Sequence, residues 1–274
     1  MIRPRRPLVF AEEVFEEFHI TASQNDLNLA TAVFTTAAKP FVAGQNWHVI
    51  IDSGVTIGCS TKAAQATSGT ANVALTTGVF PRVLKLTIRG AVQGSGGDGG
   101  QGGIEFGVKD GGLGGGGGGG SGVIAGAGGD GSAPATDGDA GTAANVRADG
   151  GFGNIEFTQQ PERTERLGGG GGTAISMSQD MRLVIDPGGK LWAGGGGGGG
   201  ASGLGIQLLT NRWGGYGGAA GAAGGQGGDG THDRYSSSGS GAGGGLQGIA
   251  IITHSYNLTI LSPAGDGGIL GLVT

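Results

Sequence analysis

Cysteine is almost missing from this sequence, since Cys59 is the only one among 274 residues. One thiol cannot form a disulfide within the chain or build a cysteine-based metal site. The four histidines, His19, His48, His232 and His254, lie far apart, and none belongs to a pair with metal-ligand spacing. We therefore expect no metal, no cofactor and no catalytic constellation, and we expect that the protein is not an enzyme.

Large side chains and prolines are also scarce: aromatic residues make up 5% of the chain, and there are 8 prolines. Collagen needs abundant proline and glycine at every third position, so it is excluded. No stretch approaches 18 apolar residues, and we expect no membrane span. The opening MIRPRRPLVF is followed directly by AEEVFEEF, so we expect no signal peptide.

The charge balance argues against nucleic-acid binding. The formal net charge is −5, whereas nucleic-acid-binding domains are usually basic. The hydrophobic share of 36% is high for a disordered chain. We expect an ordered protein with a thin core.

Glycine divides the chain sharply. Of 69 glycines, 6 precede residue 94, 59 lie between Gly94 and Gly248, and 4 follow. Strand-like segments such as WHVIIDSGVTIGCS and RVLKLTIRGAV show β-branched enrichment and two-residue alternation. We predict a mainly β protein with an arm at 1–18, a β-module for attachment at 19–93, a glycine-rich region at 94–248 and closing strands at 249–274.

The first 18 residues read as a docking arm. Val14, Phe15 and Phe18 have helical spacing, which predicts one or two turns of helix. Such a short segment needs a partner, and the residues we assign to docking are Arg3, Arg5, Arg6, Phe15 and Phe18.

A short motif recurs beside the glycine runs. Hydrophobic triplets at 86–88, 183–185 and 258–260 are each followed by turn-forming residues and then glycines. This pattern indicates strands that turn and lead into glycine-rich segments. The spacing is too irregular for a simple solenoid.

Uninterrupted glycine runs at 114–120, 168–172 and 194–200 need compensation for the conformational entropy that ordering costs. Packed polyglycine II helices supply it, because each backbone N–H and C=O points outward to a neighbour. Flexible linkers are the alternative. Against linkers, serine is scarce in the runs, and apolar residues flank them.

Two familiar motifs are rejected. Gly188-Gly189-Lys190 lacks the following Ser or Thr of a phosphate-binding loop, so a turn between two strands explains it better. Asp98, Asp130 and Asp229 stand in isolated Gly-Gly-Asp-Gly segments rather than in tandem calcium-binding repeats, and solvated turns are the better interpretation.

Polar and aromatic islands between the glycine runs, at 158–166, 208–216 and 231–238, are the candidate binding loops. They combine aromatic and arginine side chains, which are enriched at recognition hot spots. The alternative is that the aromatics only cap a glycine bundle. Trp47 and Trp192, inside strand-like patterns, are assigned to the core. The candidate receptor-binding residues are Gln160, Arg163, Asn211, Arg212, Trp213, Tyr216, His232, Asp233, Arg234 and Tyr235.

The combination of strands and glycine tracts in LVIDPGGKLWAGGGGGGGASG and NLTILSPAGDGG resembles the glycine-rich tail proteins of tailed bacteriophages. These include the distal adhesins of T-even-like phages and the glycine-rich end of tail-tip host-specificity proteins. The resemblance covers roughly residues 80–274. It implies a virion tail protein that presents receptor-binding loops to a host-surface protein or glycan. It also implies attachment to other tail proteins through the N-terminal region, as a homo-oligomer such as a trimer or on an oligomeric fibre.

Three alternatives stay open. A purely structural tail-tip or fibre-connecting subunit would pack its glycine-rich part between copies. An ice-binding or matrix protein would need regular threonine spacing, which the segments lack. A polysaccharide-degrading tail enzyme would need carboxylates converging on a groove, and the sequence contains no such pair.

Overall fold

The computed structural model describes residues 13–61, 73–101, 112–113, 125, 127–128, 138–142, 148–150, 154–155, 167–200, 230–231, 238–239, 246–261 and 268–274. In these ranges the chain is mainly β, as the sequence predicted. One short π-helix, Thr31–Thr36, lies among the strands.

Fifteen of the described strands form three five-stranded sheets. Successive strands join the three sheets in turn, so the chain winds as a parallel β-solenoid of five coils. The first coil contains β1 (Phe15–Ile20), β2 (Gln24–Asn25) and β3 (Leu27–Asn28), and the second contains β4 (Asn46–Ile51), β5 (Thr56–Gly58) and β6 (Val73–Thr76). The third contains β7 (Leu84–Ile88), β8 (Ala91–Gln93) and β11 (Thr173–Ser176), the fourth β12 (Met181–Ile185), β13 (Lys190–Trp192) and β16 (Ile249–Ile252), and the fifth β17 (Leu258–Ile260), β18 (Ile269–Leu270) and β19 (Leu272–Val273).

Four further strands lie inside the glycine-rich insertions of the third and fourth coils. They are β9 (Gly112–Leu113), β10 (Asn154–Ile155), β14 (Gly230–Thr231) and β15 (Ser238–Gly239). We call the solenoid faces the first face (β1, β4, β7, β12, β17), the second face (β2, β5, β8, β13, β18) and the third face (β3, β6, β11, β16, β19).

Like side chains stack in columns inside the solenoid. On the first face, Val49, Leu86 and Leu183 occupy one register position in successive coils and are fully buried. A second column of this kind, two residues further along each strand, consists of Ile51, Ile88 and Ile185. Burying each such side chain contributes about 1.5–3 kcal/mol, so a thin core is sufficient when every coil repeats it.

The helix predicted near Phe15 and Phe18 is wrong, because residues Phe15–Ile20 form β1. This strand pairs in parallel with β4 along its whole length, from Phe15 opposite Asn46 to Ile20 opposite Ile51. Phe18 packs against the core, whereas Phe15 lies on the outer side of the strand, beside the His48 ring. Parallel pairing with β4 overrides the weak helical spacing of two or three apolar residues.

The irregular spacing, which argued against a simple solenoid, does not prevent the strands from forming coils. The strands of the first face begin at residues 15, 46, 84, 181 and 258, so insertions within two coils conceal the repeat. The segments that we assigned to 19–93 and 249–274 both contribute strands to the same three sheets, together with strands from 173–192.

Two local predictions are confirmed and one is wrong in part. The DPGG segment is a turn between β12 and β13, in which the Gly189 amide donates to the Asp186 carbonyl at 2.8 Å and Gly188 has φ of +91°. Trp47 is 1% exposed and contacts Phe34 and Phe80. Trp192 is only half-buried, because Leu191 takes the inward position and Trp192 packs under the Lys190 ammonium.

Glycine segments at 94–100, 168–172 and 194–200 hydrogen-bond to one another at every third residue. The amides of Gly94, Gly97 and Gly100 donate to residues 192, 195 and 198, at 2.7–2.9 Å. The amides of Gly169 and Gly172 donate to residues 98 and 95, and those of Gly194 and Gly197 donate to residues 172 and 169. A three-residue period is that of the polyglycine II helix, whose presence here stays a prediction.

No room is left for side chains between these segments. A Cβ on Gly97 would lie 1.9 Å from the Gly169 carbonyl oxygen, and one on Gly194 would lie 1.7 Å from the Ser95 carbonyl oxygen. These obstacles are backbone atoms, which cannot rotate away. Ser95, by contrast, already carries a Cβ inside the same segment and is fully buried.

We expect Gly97→Ala to lower the free energy of unfolding by about 3 kcal/mol or more, since the new methyl group overlaps backbone. Ser95→Ala is the matched control, because its Cβ is already accommodated and its hydroxyl makes no more than a weak contact with the buried Cys59 thiol among the described residues. That control should change stability by about 1 kcal/mol or less. Urea unfolding measures both, and equal effects would contradict the close packing of these segments.

Candidate binding surfaces

Both glycine-rich insertions begin and end at the same corner of the solenoid. The first leaves after β8 and returns at β11, and the second leaves after β13 and returns at β16. Because β8 pairs with β13 and β11 pairs with β16, the two departures are neighbours and so are the two returns. The two insertions are therefore anchored at four adjacent strand ends.

The candidate loops belong to these insertions. The island at 158–166 lies in the first insertion, and the islands at 208–216 and 231–238 lie in the second. Strands β14 and β15 pair in antiparallel fashion, with Thr231 opposite Ser238, so six residues connect the pair. The residues in that connection include His232, Asp233, Arg234 and Tyr235.

The structure does not test the assigned receptor-binding residues, because all of them lie outside the described residues. This holds for Gln160 and Arg163, for Asn211, Arg212, Trp213 and Tyr216, and for the four residues between β14 and β15. Arg3, Arg5 and Arg6 of the proposed docking arm are also outside the described range. Of the docking set, Phe15 and Phe18 are described, and both lie in β1.

The outer surface of the first face carries a charged column. Glu17, His48, Lys85 and Arg182 occupy the same register position in the first four coils. His48 Nδ1 lies 3.0 Å from a Glu17 carboxylate oxygen. Arg182 forms a bidentate ion pair with Glu13, which joins the fourth coil to the residues before β1. The pKa of the Glu13 carboxyl is lowered by its hydrogen bond to Arg182.

His48 is largely enclosed, with a side chain 12% exposed. Its Nε2 lies 2.8 Å from the Thr87 hydroxyl. Burial lowers the pKa of His48, and the positive charges of Lys85 and Arg89 act in the same direction, while Glu17 opposes them. The neutral imidazole is therefore favoured in the folded protein.

Two cavities lie where the strands of the first face begin. One, of about 480 Å³, is lined by Glu13, Glu16, Gln45, Asn46 and Arg82 among other residues. The other, of about 320 Å³, is lined by Arg82, Asp180, Arg182, Asn257 and Thr259 among others. Sequence analysis missed both, because their residues come from different coils and share no motif.

In the described part of the chain, no three His, Cys, Asp or Glu residues cluster in a way that could hold a metal ion. Asp98, the described member of the three Gly-Gly-Asp-Gly aspartates, accepts a hydrogen bond from the Ala127 amide at 2.7 Å. Among the described residues no helix has the length and apolar character needed to cross a membrane.

Comparison with known proteins gives one structural similarity. Neither a family model nor a curated protein matches the sequence. A solved structure, the gp37–gp38 adhesin tip complex of the long tail fibre of bacteriophage S16, is similar with a TM-score of 0.40 and 16% identity. The match covers 95% of this chain and 82% of that chain.

The lowered pKa of His48 predicts a loss of stability in acid. Below a pH of about 6.5 the unfolded chain binds a proton that the folded imidazole resists, so the free energy of unfolding falls as the pH decreases through this range. Urea unfolding of wild type and His48→Gln at pH 8, 7, 6 and 5 measures the effect. The stability difference between them should shift in favour of His48→Gln between pH 7 and 5. A difference in the free energy of unfolding that stays the same from pH 8 to pH 5 would exclude this role of His48.

Proposed function

We propose that the protein is a bacteriophage tail-fibre or tail-tip protein, located in the virion tail, that binds a host-surface receptor. The loops at 158–166, 208–216 and 231–238 supply the contacts, and no catalysis is involved. The sequence resemblance to glycine-rich phage adhesins supports this function. The observation that carries it is the anchoring of both insertions at one corner of a rigid solenoid.

The glycine segments explain how loops of this kind could be held for recognition. Backbone hydrogen bonds join the outgoing segments at 94–100 and 194–200 to the returning segment at 168–172. Binding residues held by a rigid scaffold lose less conformational entropy when they bind. A scaffold of backbone alone also leaves the loop sequences free to vary without disturbing a core.

The N-terminal region is the proposed attachment to other tail proteins. β1 is the outer strand of the first face, so one side of its backbone has no neighbouring strand among the described residues. Such an edge accepts a strand of another protein. Arg3, Arg5 and Arg6 would add charge contacts, and Phe15 an aromatic one, to a partner that is a fibre of oligomeric subunits or another copy of the chain.

A purely structural subunit is the second candidate, favoured by the other end of the solenoid. Ile260, Leu261, Leu272 and Val273, in and beside the last coil, are 43–53% exposed. Apolar groups at an open sheet edge are typical of surfaces that become covered on assembly. This candidate requires no contact with the host.

Binding of the purified, fluorescently labelled chain to intact cells separates the two candidates. On a panel of bacterial strains we expect saturable binding to at least one. In the triple variant Trp213→Ala, Arg234→Ala, Tyr235→Ala, that binding should weaken at least tenfold, because aromatic and arginine side chains dominate recognition.

The matched control is the double variant Phe41→Ala, Arg89→Ala, which removes an exposed aromatic and an exposed arginine from the solenoid. It should bind like wild type once circular dichroism has established that all forms are folded. If the labelled chain binds to none of the strains, the result favours the structural subunit. Equal binding by wild type and the triple variant would refute the loop assignment.

A further inference from the structure

Asn46, a residue that lines the larger cavity of the first face, has an unsatisfied polar atom. Asn46 is 5% exposed, and its Nδ2 donates to the Val14 carbonyl at 3.1 Å, which fixes the orientation of the amide. Its Oδ1 has no hydrogen-bond partner among the described residues. A buried acceptor without a donor costs about 1–3 kcal/mol. A ligand hydroxyl entering the cavity would supply the missing donor.

Arg82 supplies donors at the same place. Its side chain is exposed and lines both cavities, which therefore adjoin along the corner where the third and first faces meet. Within the described part of the chain it makes no hydrogen bond or ion pair, although its charge lowers the pKa of Glu13 slightly further. Its guanidinium is thus available to a ligand oxygen.

Acceptors and donors alternate along this corner. The Glu16 carboxylate and the Asn46 amide belong to the lining of the larger cavity, and Gln45 and Asn257 carry amides that both donate and accept. Thr259 adds a hydroxyl in the smaller cavity. Neither charge sign dominates, because carboxylates and guanidinium groups line both cavities. This mixture does not favour a simple anion or cation.

A ligand that suits such a lining carries many hydroxyls, each able to donate and accept. We propose that this corner of the solenoid is a saccharide-binding groove, with a sugar unit in the larger cavity and the next one toward Arg82. The volumes of about 480 and 320 Å³ are within the range of small-ligand sites. Arg82 bridges the two units, and Asn46 accepts from a hydroxyl of the first.

The groove is separate from the loops of the proposed adhesin. It consists of residues from five coils, whereas the loops belong to the two glycine-rich insertions. The inference therefore stands without the proposed function. Either site can exist when the other does not.

Saturation-transfer NMR on the full chain, with free disaccharides as probes, tests the groove. The probes are disaccharides of neutral hexoses, of N-acetylhexosamines and of uronic acids. At least one class should give transfer, and titration of that disaccharide should then show at least tenfold weaker binding in Arg82→Gln and in Glu16→Gln. Both substitutions are on exposed side chains, so folding should be retained.

Arg89→Gln is the matched control. Arg89 directly follows β7 in the same coil as Arg82, but it pairs with Asp186 outside both cavities, and its variant should bind within twofold of wild type. Absence of transfer from every class at millimolar concentration would overturn the proposal. So would equal affinity of wild type, Arg82→Gln and Glu16→Gln. Whole-cell binding of the triple loop variant is a separate measurement. Failure of the saccharide groove can therefore be distinguished from failure of the loop assignment.

Discussion

The spacing between neighbouring parallel strands is the constraint on which the rest of this structure depends. Strands β8 and β13 pair in the second face, at the usual separation of about 4.8 Å. The two insertions leave from the ends of these strands, and the Gly94 amide continues the ladder by donating to the Trp192 carbonyl at 2.9 Å. Segments that begin this close together can stay together only if they lack side chains on their facing sides.

Glycine satisfies this constraint and hydrogen bonding then stabilises the result. The segments at 94–100, 168–172 and 194–200 donate to one another in a closed cycle, so three chains share their bonds. Each bond contributes only about 1 kcal/mol net, and ordering a glycine residue costs at least that much. The segments therefore depend on the solenoid, whose buried columns of aliphatic side chains hold their ends in place.

The solenoid also brings distant residues together on its outer surface. Glu13 meets Arg182 across three coils, and Arg82 joins two cavities whose lining residues together come from all five coils. None of these juxtapositions follows a sequence motif, because a ladder position is defined by register and not by distance along the chain. Surface chemistry on such a fold is built from the stacking of coils.

The sequence by itself determined the mainly β class, the extent of the glycine-rich part, the turn at 186–189 and the burial of Trp47, because these depend on local propensity and patterning. It also predicted close glycine packing, for which the three-residue hydrogen-bond period is the supporting observation. Only the tertiary structure decided that Phe15–Ile20 is a strand and that strands separated by up to 100 residues are neighbours, as β6 and β11 are. Coil pairing is a long-range interaction, and insertions of different length hide its period from any reading along the chain.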